Sequence, residues 1–202
     1  MNFWDQRYSQ AEFAYGKEPN EYLKAKLLDL PPGRILFPAE GEGRNAVFAA
    51  KLGWDVFAFD SSAEGKKKAE KLALTNGVTI DYRVQDLEEV DYPSNYFDAI
   101  AFSHTHFPEV KRRIFHQKLS AYLKKGGILI LECFGKKHLN YQKDNPNAGG
   151  PKDESMLFDL AELKEDFKGF DFLEGYETET KLTEGLYHVG KASVVRLFAV
   201  KK

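Results

Sequence analysis

A short apolar run, Ile35-Leu36-Phe37, leads into a small-residue turn with two glycines, Gly41-Glu42-Gly43, and then into the alanine-rich segment from Arg44 to Ala50. This order predicts a strand, a tight loop and the start of a helix, and it constrains the chain more than any other stretch. Glycine lets backbone pass close to a ligand because no Cβ blocks the approach and a positive φ costs little. The helix that follows turns its first N–H groups toward the same crevice. A nucleotide-like ligand is the expectation, with Asn45 in the first turn of the helix.

The rest of the chain repeats the alternation. Strands are expected over 35–39, 56–59, 78–84, 97–102 and 127–134, with helices over 44–52, from Ser61 or Ser62 to Ala73, and over 108–123. Gly53 and Asn76-Gly77 supply helix stops. Continued alternation implies right-handed βαβ units and an α/β, Rossmann-like doubly wound sheet, mostly parallel. After a helix over 159–167, the runs 170–183 and 192–200 are joined by too short a link for a parallel crossover, so the sheet should end in an antiparallel C-terminal hairpin. Residues 1–33 carry too many aromatics (Phe3, Trp4, Tyr8, Phe13, Tyr15, Tyr22) for a disordered tail, and they read as a loop followed by a helix. Residues 135–156, rich in Asn, Gly, Pro and Lys, read as a long irregular loop of the kind that serves function.

Composition narrows the partners. With 202 residues, 29 basic against 31 acidic side chains and 43% hydrophobic residues, one domain over 1–202 is expected. The balanced charge disfavours nucleic acid. A lone cysteine, Cys133, lies inside an apolar run and reads as a small core residue. The chain lacks a signal pattern and a membrane-length apolar stretch, so a cytoplasmic protein, monomeric or weakly dimeric, is expected.

Gly41-Glu42-Gly43-Arg44-Asn45-Ala46 fits G-x-G-x-x-A, and Asp60 ends the next strand at roughly the 20-residue interval of a ribose-binding acid. Against this reading, Asp60 followed by Ser61-Ser62 is also the residue type of a helix cap. Asp86, after the third strand, is either a second ligand-facing acid or a turn aspartate. His104 and Glu132 fall at the carboxyl ends of strands four and five, the ligand edge of open α/β sheets. His188 falls in the terminal hairpin loop. These three are the candidate catalytic groups. His104 and His106, two apart, suggest a metal pair, but no third ligand stands at a suitable spacing, so no metal site is expected.

The stretches Trp4-Asp5-Gln6-Arg7-Tyr8, Tyr15-Gly16-Lys17-Glu18-Pro19-Asn20, Leu30-Pro31-Pro32-Gly33-Arg34 and Ala39 to Ala46 resemble the class I S-adenosylmethionine-dependent methyltransferases. Within that family they look like the small bacterial branch near the tellurite-resistance and thiopurine methyltransferases. The resemblance covers nearly the whole chain and implies a seven-stranded sheet with S-adenosylmethionine as cofactor. It implies that Glu40, Gly41 and Gly43 hold the methionine part, Asp60 with Ser61 the ribose, and Asp86 with Leu87 the adenine; Ser103 at the end of strand four joins this set. The family's usual acid at the start of the glycine motif is Phe37 here, and Ala39 stands at its first glycine, which leaves Glu40 to meet the cofactor's ammonium. Methyl transfer to a small-molecule acceptor, a thiol or a chalcogen oxyanion, is the expected reaction, since Ser103-His104-Thr105-His106-Phe107 lacks the Asn/Asp-Pro-Pro-Tyr box of methylation on amino nitrogens. A nicotinamide oxidoreductase, NAD(P)-dependent, and a non-catalytic S-adenosylmethionine-binding module are the competing readings.

Overall fold

The computed structural model describes residues 2–202. Seven strands form one sheet: β1 (Arg34–Pro38), β2 (Asp55–Asp60), β3 (Asp81–Val84), β4 (Phe97–Ser103), β5 (Leu123–Phe134), β6 (Phe170–Glu184) and β7 (His188–Lys201). Their order across the sheet is β3-β2-β1-β4-β5-β7-β6. The first five pair in parallel, while β7 runs antiparallel to both of its neighbours. The expected doubly wound sheet is therefore present, and its antiparallel hairpin is inserted so that β7, the last strand in sequence, lies inside the sheet and β6 takes the edge.

Helices cover both faces. Leu36, Ile100, Phe102, Leu129 and Leu131 point into one buried cluster with Phe115 and Leu119 of α5 (Glu109–Tyr122) and with Leu163 and Phe167 at α7 (Leu160–Asp166). Alternate residues of the same strands, Ile35, Phe37, Ala99, Ala101 and Ile130, meet Leu23 and Leu27 of α2 (Glu21–Leu28) and Ala46 and Ala49 of α3 (Arg44–Lys51). Strand geometry sends successive side chains to opposite faces, which is why the central strands read as unbroken apolar runs.

The structure differs from the sequence expectation at several ends. The third strand starts at Asp81, three residues late, because the Val78 N–H is still taken by the Ala73 carbonyl at the end of α4 (Ala63–Thr75). Residues Phe3–Tyr8 form a short helix, α1, with the Asn2 side chain accepting the Asp5 N–H at 2.7 Å. The segment 135–156 holds a short helix, α6 (Leu139–Asp144), between 3-10 turns instead of being wholly irregular. His188 is the first residue of β7, paired with Glu184, and only residues 185–187 form the link; strong pairing in long strands extends the ladder to the last pair that the turn permits.

No helix among the described residues is long and apolar enough to cross a membrane.

Candidate active site

The carboxyl ends of β1, β2, β4 and β5 bring most of the candidate residues to one edge. At the end of β1 the Glu40 carboxylate accepts the N–H groups of Asn45 and Ala46, each at 2.8 Å. It thus caps α3 from before the glycine turn, since Gly43 at the N-cap position has no side chain to do so. Burial pushes Glu40 up to about 7, against the lowering effect of those N–H groups and Arg44. Gly41 and Gly43 both adopt positive φ, 64° and 86°, which suits the tight turn expected of them.

The cap of the next helix is Ser62 and not Asp60, which instead braces the turn before it. Its carboxylate accepts the Gly41 N–H at 3.0 Å and the Ser62 N–H at 2.9 Å, joining the end of β2 to the glycine turn and to the entry of α4. Burial raises it to about 6. Ser62 itself caps α4, while Ser61 is half-buried beside it. After β3, Asp86 is exposed and its carbonyl closes a turn onto Glu89 and Val90, whereas Leu87 is buried in the core.

The N-terminal segment lies over this edge. The Ala14 N–H donates to Glu42 at 2.8 Å, the Asn20 N–H to the Asn45 side chain at 2.9 Å, and the Ser62 hydroxyl to Asp5 at 2.6 Å. Tyr8 is buried against Gly41 and Gly65, and the Tyr82 hydroxyl donates to the Gly41 carbonyl at 2.6 Å. The segment also reaches the tip of the hairpin, where the Leu186 N–H donates to the Ala14 carbonyl at 2.8 Å and Gly16 packs directly on Gly185. Glu42 is buried and additionally ion-paired with Lys68 at 2.8 Å, so the middle residue of the glycine turn fastens the N-terminal cover.

Beyond the turn stands a buried polar cluster. His104 follows β4 at a positive φ of 51°, and its side chain is only 5% exposed. Its ring stacks on Phe134 with centroids 4.3 Å apart and meets His188 edge-on at 4.5 Å. Neither ring nitrogen of His104, nor the Ser103 hydroxyl, has a hydrogen-bond partner among the described residues. Burial, reinforced by His188, holds His104 well below the usual histidine range, so the ring is neutral. Across from it the Glu184 carboxylate accepts from His188 Nδ1 at 3.0 Å, from Arg44 at 2.9 Å and from Asn20 at 3.1 Å. Burial works against a charged Glu184, but Arg44, His188 and His104 outweigh it and hold the carboxyl well below its usual range.

Glu132 lies in β5 opposite Ser103. Its two oxygens are taken by Arg196 at 2.6 Å and Asn20 at 2.6 Å. His106, by contrast, is engaged on both nitrogens, with the Met156 carbonyl and the Phe134 N–H, and fastens the segment after β5 to the end of β4. The Cys133 thiol is buried and burial pushes it up, which keeps it protonated.

His104, Glu132 and His188, which come from three separate stretches of the chain, are thus brought together, with Ser103 beside them. Glu40, Gly41, Gly43, Asn45, Asp60 and Ser61 gather at the ends of β1 and β2. Asn20, Glu42, Arg44 and Glu184 were missed in sequence. For Glu184 a signal existed: a Glu-Gly-x-x-His run at a hairpin turn places the acid and the imidazole across the link from each other.

A family model described as a methyltransferase domain matches residues 35–127. Ubiquinone biosynthesis O-methyltransferase of Xanthomonas campestris pv. campestris (strain B100) is 32% identical over 120 residues, covering 57% of this chain and 48% of the relative. The chain therefore spans about half the length of the curated relatives it matches. Among solved structures, TehB from Haemophilus influenzae superposes with a TM-score of 0.72 at 17% identity, covering 99% of this chain and 66% of TehB. A SAM-dependent methyltransferase from Anabaena variabilis superposes at 0.70 with 16% identity, covering 98% and 92%. Magnesium protoporphyrin IX methyltransferase from Synechocystis PCC 6803, solved with bound SAH, superposes at 0.66 with 18% identity, covering 89% and 81%. The fold is shared with these solved methyltransferases, and residues 35–127 are similar to a methyltransferase domain; TehB is one of several structural neighbours. The curated relatives are named as O-methyltransferases and not as oxidoreductases, which removes the basis for the nicotinamide reading.

Proposed function

We propose that this chain binds S-adenosylmethionine along the carboxyl edge of β1, β2 and β4 and transfers its methyl group to a small molecule presenting an ionisable oxygen or sulfur. The observation that carries this reading is the pairing of two features at one edge. A partly buried carboxylate, Glu40, stands at the end of β1 and a buried one, Asp60, at the end of β2, and an unpartnered Ser103 hydroxyl and neutral His104 ring stand at the end of β4. Buried polar atoms are hydrogen-bonded as a rule, so Ser103 and His104 mark where a ligand's polar groups belong. The donor set also fits the cofactor chemically, with an acid for an ammonium and an acid for a ribose diol.

In this reading Glu40 meets the ammonium, with Gly41, Gly43 and Asn45 letting the turn approach. Asp60 and Ser61 meet the ribose, Asp86 and Leu87 flank the adenine, and Ser103 lies near the sulfur. The cofactor supplies an electrophilic methyl on a sulfonium, displaced in line. Positioning and exclusion of water are then the protein's main contributions. Residues 1–33 cover the cofactor, and residues 135–156 line the acceptor side, within one methyltransferase unit over 1–202. His104 and His188 are neutral and able to take an acceptor's proton. Glu132, with both oxygens engaged, is a positioning residue. A thiol or a chalcogen oxyanion fits a site without a strong base, and an acidic hydroxyl fits the O-methyltransferase relatives.

Calorimetry with S-adenosylhomocysteine, followed by turnover with a panel of thiols, selenols, oxyanions and phenols read by mass spectrometry, tests the proposal. Saturable 1:1 binding and a product heavier by one methylene are expected. Binding of S-adenosylhomocysteine without turnover on any panel member would favour a cofactor-binding module instead.

A further inference from the structure

The cluster at the end of β4 has a second property that a proton acceptor alone does not need. One donor atom each from His104, Glu184 and His188 all lie within 4.8 Å of one another. His104 Nε2 stands 3.6 Å from Glu184 Oε2, and His188 Nδ1, whose hydrogen bond to the same oxygen the ion would replace as the ring proton moves to Nε2, stands 3.0 Å from it. An ion bound at about 2.1 Å from each ligand in a tetrahedral set holds its donor atoms roughly 3.4 Å apart. These two separations fall on either side of that value, and the two imidazole atoms lie within 4.8 Å of each other.

We propose that His104, Glu184 and His188 hold a divalent transition-metal ion, of which zinc is the type the donor set suits best. Two imidazoles and one carboxylate are the ligands of a three-coordinate protein site with a fourth position open. The independent observation is His104, whose side chain is 5% exposed and whose ring nitrogens have no hydrogen-bond partner among the described residues. A buried imidazole without a partner costs free energy in the folded state unless something satisfies it. The Glu184 carboxylate is itself held in place by Arg44 and Asn20, and the His104 ring by stacking on Phe134. Such outer contacts fix ligand orientation before the ion arrives.

The charges name the acceptor class. Around the three ligands stand the carboxylates of Glu184 and Glu132 and the guanidiniums of Arg44 and Arg196, which cancel. A bound divalent ion therefore leaves a positive excess, and an anionic fourth ligand answers it. Resting on the methyltransferase reading, the fourth ligand is the acceptor's own oxygen or sulfur. With the ion bound, His104 and His188 act as ligands and not as bases, and that atom loses its proton to solvent on coordination. A lone pair on it then forms the bond to the methyl carbon as the carbon–sulfur bond of the sulfonium breaks onto sulfur. The ion takes no part in oxidation or reduction.

The test uses the full chain, stripped with chelator and titrated with cobalt(II), a spectroscopic substitute for zinc. A visible d–d spectrum saturating at one equivalent and displaced by zinc is expected, as is zinc-edge X-ray absorption showing two imidazoles in the ion's immediate shell. H104Q and H188Q should each weaken binding by at least about tenfold with unchanged circular dichroism. Absence of stoichiometric binding by the wild-type chain, or a zinc shell without imidazoles, overturns the site, whether or not the variants fold. Calorimetry with S-adenosylhomocysteine on the same sample separates the two ideas. Nucleoside binding without metal binding removes only the metal site, and metal binding without nucleoside binding removes the methyltransferase reading.

Discussion

Glu40 offers a quantitative test of how the edge at the end of β1 is built. Its carboxyl sits at about 7 in the folded chain against an ordinary value of 4.5. The folded state therefore binds a proton more readily than the unfolded chain does between those values. Stability contributed by Glu40 is fully present below 4.5 and lost as pH rises through 7. At about 1.4 kcal/mol per unit, the loss reaches about 3 kcal/mol, and because Glu40 is only partly buried solvent screening makes this an upper figure. In E40Q the amide oxygen can still accept the Asn45 and Ala46 N–H groups, but nothing titrates. Urea denaturation across pH 4 to 8 should show E40Q and wild type nearly equal at the acid end, with E40Q gaining up to about 3 kcal/mol by the alkaline end. A stability difference independent of pH would refute the argument. S-adenosylhomocysteine, whose ammonium favours the charged carboxylate, should release a proton on binding near pH 7, visible as a buffer-dependent calorimetric enthalpy. E40Q should lose that release and roughly ten- to a hundredfold in affinity, the worth of a charge-assisted hydrogen bond.

Four further outcomes follow from the geometry. A Cβ on Gly43 would stand 2.5 Å from Ala69 Cβ and 2.8 Å from its Cα, so G43A should cost about 3 kcal/mol or more in thermal denaturation. A Cβ on Gly41 instead meets the Tyr8 hydroxyl at 2.6 Å, the far end of a side chain in the N-terminal segment, and G41A should cost less while loosening residues 2–20 to protease. R44M removes the cation from a buried pair whose side chains are 8% and 11% exposed, with an expected loss of about 2–4 kcal/mol by urea denaturation; a change under 0.5 kcal/mol, the usual range for a surface site, would count against Arg44 as the counter-ion of Glu184. S-adenosylhomocysteine should protect both the N-terminal segment and residues 135–156 from limited proteolysis, and unchanged cleavage would tell against a cover that closes on ligand.

The glycine turn, the helix that follows it and Asp60 at the end of the next strand were legible in sequence because each is fixed by neighbours a few residues away. Glycine permits the positive φ values at 41 and 43, and alternation of apolar runs marks strands buried on both faces. The antiparallel ending followed from the length of a single link. Strand pairing over long distances was not legible in the same way. That β7 enters between β5 and β6 is decided by which edges bury the apolar faces of Val194, Val195 and Leu197.

The cluster at the edge is a product of that choice. Antiparallel pairing across residues 185–187 sets Glu184 opposite His188, and pairing of β5 with both β4 and β7 then carries them to His104 and Glu132. Residues from three distant segments become ligands or partners of one another only when the sheet closes. Periodicity reports which face a side chain takes, but not which side chain it will meet. By itself the sequence determined the local chemistry of the edge, with its glycine turn, its acids and its histidines. Tertiary structure alone decided that Glu184, unremarked in sequence, joins the two histidines, and that Asn20, Arg44 and Glu42 tie the N-terminal cover over them.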